Sequence, residues 1–416
     1  MISSNSDRNL LRDLAVQVRD VADSRTMSDL RAKWLEHNSL RAKRPLILVF
    51  PEGAWEELQP EPSIRCESDA GRRIERELRM RLYGWEHFQS DNVVEGEWPV
   101  SKRIHRTGWG LEAHRVPIAA HKGAWGFDPV IREPADLKKL RHPEIVYDEA
   151  GSLRDLEFAR DLFGDIFDVR LAGVRHISFH LMNLYAGLRG LEQVMLDMCV
   201  EPEMLHDAMA FLEEGHHGVV RQYIEMNLLD FNHNNTYHCT GGNGFTDELP
   251  APGSHLGHAR PCDMWASAEA QELAQVGPEQ HAEFVLPYEK RLLEPFGLNG
   301  YGCCEDLTLK LDDVFTIPRI RRISISPWAN VDVCAEKMRG DYIFSWKPNP
   351  AWLVGQFRRD ALRDYLRHTV EAARINGCVL EIVLKDTHTC ENQVQRFDEW
   401  TRIAREAIGE VWGEAE

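Results

Sequence analysis

Gly302-Cys303-Cys304-Glu305-Asp306-Leu307 closes an apolar run over 296–301 and precedes a segment carrying Asp312 and Asp313. Two adjacent thiols and a carboxylate put soft and hard ligands side by side, at the strand end where an α/β enzyme keeps its reactive groups. The plainer reading makes Cys303 and Cys304 small buried hydrophobes. Other apolar runs end in the same kind of residue. The first, 45–50, leads into Pro51-Glu52-Gly53-Ala54-Trp55. The run over 228–237 carries His233 and Asn235 and continues into His238, Cys239 and Gly241-Gly242-Asn243-Gly244. Later runs end in Ser326-Pro327-Trp328, in Lys347-Pro348-Asn349-Pro350, and in Asp386-Thr387-His388-Thr389-Cys390. Sulfur, imidazole and carboxylate from separate strands could share one zinc ion, with a position left for substrate. For His238 a hydrogen-bonded pocket histidine is the plainer reading, and for Cys239 a core thiol. A polar run straight after a buried strand is costly unless solvated or used, which speaks for His388.

The elements that must carry these groups follow from periodicity. Residues 1–43 read as a helical arm: Leu10, Leu11, Leu14, Val18 and Val21, then Leu30, Trp34 and Leu40, recur at helical spacing. Pro45-Leu46-Ile47-Leu48-Val49-Phe50 reads as a strand buried on both faces. The stretch 51–150 reads as an irregular Trp-rich insertion with one short strand over 116–120. Beyond it helices are expected over 153–163, 191–198, from Pro202, from Gly277 through Leu293 and over 360–376, where Gly377 ends the helix. Strands are expected over 170–179, 228–237, 297–304, 323–327, 342–346 and 379–385. About eight strands alternating with helices imply a parallel sheet, and in 44–416 they predict an α/β fold, a (β/α)8 TIM barrel with an N-terminal helical extension. A doubly wound sheet is the alternative; it would not bring the first and last strands together.

Composition narrows the function. The chain has 416 residues, 43% hydrophobic and 28% charged, as an ordinary globular enzyme has. A formal charge of −18 disfavours nucleic-acid binding. No apolar run approaches the roughly 20 residues of a membrane span, and the start lacks a signal-like apolar stretch, so a cytoplasmic protein is expected. Nine irregularly spread cysteines without a CxxC pair argue for reduced thiols. Trp55, Trp109, Trp125, Trp265, Trp328 and Trp346 fall in loops or at strand ends and could line an aromatic pocket.

Gly190-Leu191-Glu192-Gln193-Val194-Met195-Leu196-Asp197-Met198, Glu201-Pro202-Glu203-Met204-Leu205-His206, Gly277-Pro278-Glu279, Phe284-Val285-Leu286-Pro287-Tyr288 and the Cys-Cys-Glu strand resemble the uroporphyrinogen decarboxylase superfamily over roughly 160–405. That superfamily is a (β/α)8 barrel. Its decarboxylases carry arginines after the first strand that hold substrate carboxylates. Here that place holds Glu52 and no arginine. The resemblance is nearer to the zinc- and corrinoid-dependent methyltransferase branch, whose zinc site is His-x-Cys-Gly plus a Cys after the last strand. Gly302 then stands at the His position, Cys304 at the Cys and Glu305 at the Gly, with the last ligand near Asp386 or His388. The resemblance therefore implies zinc on Cys304 and His388, with Glu305 as third ligand or base. It implies Tyr301, His233 and His238 as pocket groups with catalytic parts for Tyr301 and His238, and Glu52, Trp55, Asn235 and Trp328 at the substrate. The implied reaction moves a methyl group from a small donor, a methoxylated aromatic fitting the tryptophans, to a corrinoid carried by a partner protein. A metal-free lyase or decarboxylase on the same barrel and a non-catalytic tetrapyrrole- or corrinoid-binding protein are the alternatives. Barrels of this superfamily often form homodimers, and the sequence does not decide that point.

Overall fold

A computed structural model describes residues 4–42, 44–116, 126–239 and 241–413. Its centre is a seven-stranded sheet: β1 (Leu46–Val49), β2 (Ser178–Phe179), β3 (Trp265–Ala268), β4 (Leu298–Tyr301), β5 (Ile320–Ile325), β6 (Ile343–Trp346) and β7 (Val379–Leu384). All neighbours are parallel, in the order β1-β7-β6-β5-β4-β3-β2. The order never reverses, and the first strand pairs with the last, from Leu46 opposite Glu381 to Val49 opposite Leu384. A doubly wound sheet would reverse at a switch point. Among the described residues no ladder joins β1 to β2.

Strands β1, β3, β4, β6 and β7 are buried along their whole length because both faces of the sheet are covered. One face packs on helices. Ile47, Ile323, Phe344 and Ile382 meet Leu362, Leu366 and Val370 of α11 (Arg359–Ile375) and Phe397 and Trp400 of α12 (Gln395–Trp412). Those residues recur at three- and four-residue steps, so each helix offers one apolar stripe. Between β1 and α11 lie, in order, α3 (Asp69–His87), α4 (Glu149–Phe163), α5 (Leu181–Arg189), α6 (Leu191–Val200), α7 (Pro202–Glu225), α8 (Pro278–Phe284), α9 (Leu286–Leu293) and α10 (Val331–Met338). Pro287 opens α9, so the helix expected through Leu293 is two helices meeting at Val285.

The opposite face receives the N-terminal arm, α1 (Asn5–Ala22) and α2 (Arg25–Asn38). Ser4 and Ser24 cap these helices through their hydroxyls. Leu48 and Val383 share a core with Leu14, Val18, Met27 and Trp34. A buried polar network completes the attachment. Arg322 Nε donates to Glu381 at 3.0 Å, its Nη2 to Asn38 Oδ1 at 2.7 Å, and His37 Nε2 lies 3.2 Å from Glu381, all fully buried. Arg322 beside the Glu381 carboxyl, with His37, outweighs burial and holds that carboxyl well below its ordinary range.

Three expectations need correction. The stretch 228–237 is not one strand: among the described residues Leu229 makes an isolated bridge to Val174, and only the last residue of the stretch, Tyr237, enters a short antiparallel pair, opposite Asn243. Its asparagines occupy the backbone instead. Asn232 Nδ2 donates to Arg175 O and Trp265 O, and Asn234 Oδ1 accepts the Thr236 N–H. The strand over 170–179 is two pieces, Asp168–Ala172 paired with Glu97–Ser101, and β2. The segment read as irregular holds the 19-residue helix α3. The loop Gly241-Gly242-Asn243-Gly244 is packed inward. A Cβ on Gly242 would stand 2.2 Å from the Arg322 guanidinium, and one on Gly244 1.9 Å from Asn232 O. Most of the strand expected over 116–120, and Trp125, lie outside the described residues.

Candidate functional site

The C-terminal ends of the parallel strands gather a set of ionisable side chains. His180 follows β2, Glu269 and Glu272 follow β3, and Cys303, Cys304 and Glu305 follow β4. Lys385, Asp386 and His388 follow β7, and Glu52 follows β1. Glu52 and Asp386 are held at positive φ, +48° and +57°, a conformation that costs a side-chain-bearing residue roughly 1–2 kcal/mol. Such strain fits residues fixed for a purpose other than stability.

The closest pair is His180 and Glu269. The Glu269 carboxylate is 2% exposed, accepts the Gln271 N–H at 2.9 Å, and makes a short hydrogen bond to His180 Nδ1. The imidazole keeps 46% of its side-chain surface open. Burial opposes its charge, but the bond to Glu269, with the Glu272 and Glu305 charges behind it, raises its pKa overall. His180 is thus a part-exposed imidazole at the surface of the mouth, oriented by a buried acid. Glu305 lies beneath. Its two oxygens accept the N–H groups of Cys303 (2.8 Å) and Ala270 (3.2 Å). Burial, then the Glu269 charge, pushes its pKa up to about 7. Glu272 is raised for the same two reasons and is held by Asn183 at 2.6 Å.

Cys304 is exposed and its Sγ lies 3.5 Å from that of Cys303. The hydrogen bond from Cys303 draws the Cys304 pKa down against burial, while the Asp386 charge opposes and the Lys385 charge assists that shift. Burial pushes Cys66, Cys334, Cys378 and Cys390 the other way, up to about 12. Cys304 is the more exposed thiol of this adjacent pair.

The other residues singled out by sequence are spread over different surroundings. Tyr301 is fully buried, its hydroxyl donating to Glu289 at 2.8 Å and facing His281 at 2.7 Å. His238 is 3% exposed, stacks on Trp265 and has its Nε2 3.0 Å from Asn232 O; burial holds its pKa near 3, so it stays neutral. His233 packs edge-on against Phe231. Trp328 is 69% exposed on its loop, whereas Trp109, Trp265 and Trp346 are core residues. His388 is exposed and lies against Gly53. Among the described residues no three His, Cys, Asp or Glu side chains are gathered as a metal-binding group. Glu305, expected as a ligand or base, accepts one backbone N–H on each of its oxygens.

Beside the mouth lies a cavity of about 710 Å³, the size of small-molecule sites. Glu52, Trp55 and Asn235 line it, with Trp85 and Phe88 of the α3 end. Trp55 is fixed edge-on against Tyr83, and Asn235 by its bond to Val93 O at 2.8 Å. Glu52 belongs to both places: it lines the cavity and lies 3.9 Å from Lys385. Burial raises its pKa, and Lys385 opposes the rise. Sequence reading missed His180 and Glu269. The available signal was position: each directly follows a short buried run, but Trp-Ala-Ser-Ala has little β propensity and β3 was not seen.

Neither a protein-family model nor a curated protein sequence matches this chain. Among solved structures, a methyltransferase from Methanosarcina mazei is similar, at 12% identity, with 92% of this chain and 99% of that chain covered and a TM-score of 0.46. A likeness that distant carries no argument about chemistry. No helix among the described residues is long and apolar enough to cross a membrane.

Proposed function

We propose that this chain is a methyltransferase on a (β/α)8 barrel of the uroporphyrinogen decarboxylase-like kind. In this reading it takes a methyl group from a small donor held beside the strand mouth. The ring order of the sheet supports the barrel, and the motifs around Gly190, Gly277 and Cys303 support the kinship. The observation that carries the reading is the His180–Glu269 pair at the C-terminal strand ends. When the bond from methyl carbon to heteroatom breaks, the electron pair stays on the heteroatom, which takes the proton from His180 Nε2. The methyl carbon passes to a nucleophile outside this chain. A reduced corrinoid on a partner protein is the acceptor of that class implied by the kinship. Glu269 keeps Nδ1 engaged, so that Nε2 is the nitrogen turned to the reaction. No step is routed through zinc, because the expected donors do not gather around one point.

The same pair favours a second reading, a metal-free decarboxylase in which His180 protonates the carbanion left by carbon dioxide. Glu52, in place of carboxylate-binding arginines, weighs against it. The purified chain, given free cob(I)alamin and a panel of methylated amines and methoxylated aromatics, separates the readings by mass spectrometry of the products. Demethylated donor that requires the acceptor supports methyl transfer. Carbon dioxide released from carboxylated compounds without it supports the lyase. Unchanged compounds throughout would leave only a binding role.

A further inference from the structure

The cavity beside the mouth is walled by indole and phenyl rings but is not charge-neutral. It carries four carboxylates, Glu52, Glu77, Glu95 and Glu97, against two guanidiniums, Arg81 and Arg175. Both guanidiniums are already engaged. Arg81 Nη2 donates to Glu77 at 2.5 Å, and its guanidinium lies 5.1 Å over the Trp98 ring. Arg175 Nε donates to Asp230 at 2.8 Å; its Nη2 lies 3.8 Å from the Glu97 carboxylate and forms no hydrogen bond among the described residues. That leaves Glu95, which forms no hydrogen bond or ion pair among the described residues, although Arg31, Arg81 and Arg175 act on it from a distance. Burial and neighbouring Glu97 raise its pKa, as for a carboxylate lacking a close cation. Trp55, Trp85 and Phe88 face the same space. Ring faces attract cations, and most strongly those whose charge is spread over alkyl groups and weakly hydrated.

We propose that this cavity binds a small organic ammonium ion bearing alkyl groups on nitrogen, through Glu95 and the faces of Trp55 and Trp85. The inference rests on the methyl-transfer reading only in making that ion the methyl donor; the binding itself does not depend on it. It also replaces the expected methoxylated aromatic with an N-methylated amine. An anionic ligand would meet four carboxylates and two guanidiniums that are each already ion-paired with an acid.

The test uses choline and its neutral isostere 3,3-dimethylbutan-1-ol, titrated into the full chain by calorimetry. Choline should bind at least tenfold tighter, and Glu95→Gln should reduce that preference to less than threefold. Gly84→Leu gives an independent control. Gly84 lies inside α3 on the cavity wall, and a Cβ there meets only Phe88, at 3.7 Å. Replacing a helical glycine favours the helix. This variant should therefore melt no lower than the wild type yet lose choline binding. Equal binding of the isostere, tighter binding of 4-methoxybenzoate, absence of choline binding, or undiminished binding by Gly84→Leu would each overturn the proposal. Choline binding without demethylation of any amine would uphold it and reject the methyl-transfer reading alone.

Discussion

Glu305 makes a measurable demand on stability. Its carboxyl is buried, 1% exposed, and its pKa stands near 7 in the folded chain against an ordinary 4.5. The folded state therefore holds a proton that the unfolded chain has lost across that interval. Stability must fall as pH rises from 4.5 to 7, because the folded state binds more protons there. At about 1.36 kcal/mol per pH unit the whole interval is worth up to roughly 3 kcal/mol. Below 4.5 both states are protonated and the penalty vanishes; above 7 it is complete. Other groups titrate in the same window, so the useful quantity is a difference. In Glu305→Gln one oxygen still accepts a backbone N–H, while the new amide N–H₂ faces the other. That mismatch costs on the order of 1–3 kcal/mol at every pH. Urea unfolding of both proteins between pH 4.5 and pH 8 then isolates the carboxyl. The variant should gain on the wild type by a few kcal/mol as pH rises, mostly between pH 5 and 7. Parallel curves would refute the reasoning, because the carboxyl would then titrate alike in both states.

Two other variants probe the scaffold and the mouth. Arg322→Met should cost about 3–5 kcal/mol, because it leaves the buried Glu381 carboxylate hydrogen-bonded only to His37 and Ser345, with Lys347 as the remaining nearby cation; Arg322→Met/Glu381→Leu should regain most of that loss in the same urea assay. A loss under 1 kcal/mol for the single variant would mean that the network does not tie the arm to the sheet. At neutral pH iodoacetamide should label Cys304 before Cys199, the other exposed cysteine, since Cys303 and Lys385 favour the Cys304 thiolate. Peptide mass spectrometry showing Cys199 labelled first would contradict that environment.

The sheet was readable where apolar residues cluster along a strand. Leu46–Val49 and Val379–Leu384, the latter broken only by Glu381, stand out for that reason, and their pairing joins the first strand to the last. Leu298–Tyr301 and Ile343–Trp346 were legible from the same pattern. Strand β3 was not, since Ala266, Ser267 and Ala268 are small residues that pack well only because their neighbours are close. The run over 228–237 misled in the opposite sense. Its apolar start looks extended, but Asp230, Asn232 and Asn234 bond to backbone and bend it away from the sheet. Helix α3 was obscured by Gly71 and Gly84 and a narrow buried face of Leu78 and Leu82. At the site, strand-end reasoning led to Glu52, Trp55, Asn235 and Cys304, which the structure puts in the cavity wall or at the mouth. It could not reveal that Tyr301 points inward to Glu289 or that Glu269 reaches His180, because side-chain direction across neighbouring strands depends on register.

The most direct test of the account is the rate of acceptor-dependent demethylation by His180→Asn, measured at saturating donor beside the wild type. Proton donation by this ring requires kcat to fall by roughly 10²–10⁴-fold with donor affinity and thermal stability unchanged. A variant that turns over at the wild-type rate would show that the His180–Glu269 pair takes no part in the chemistry.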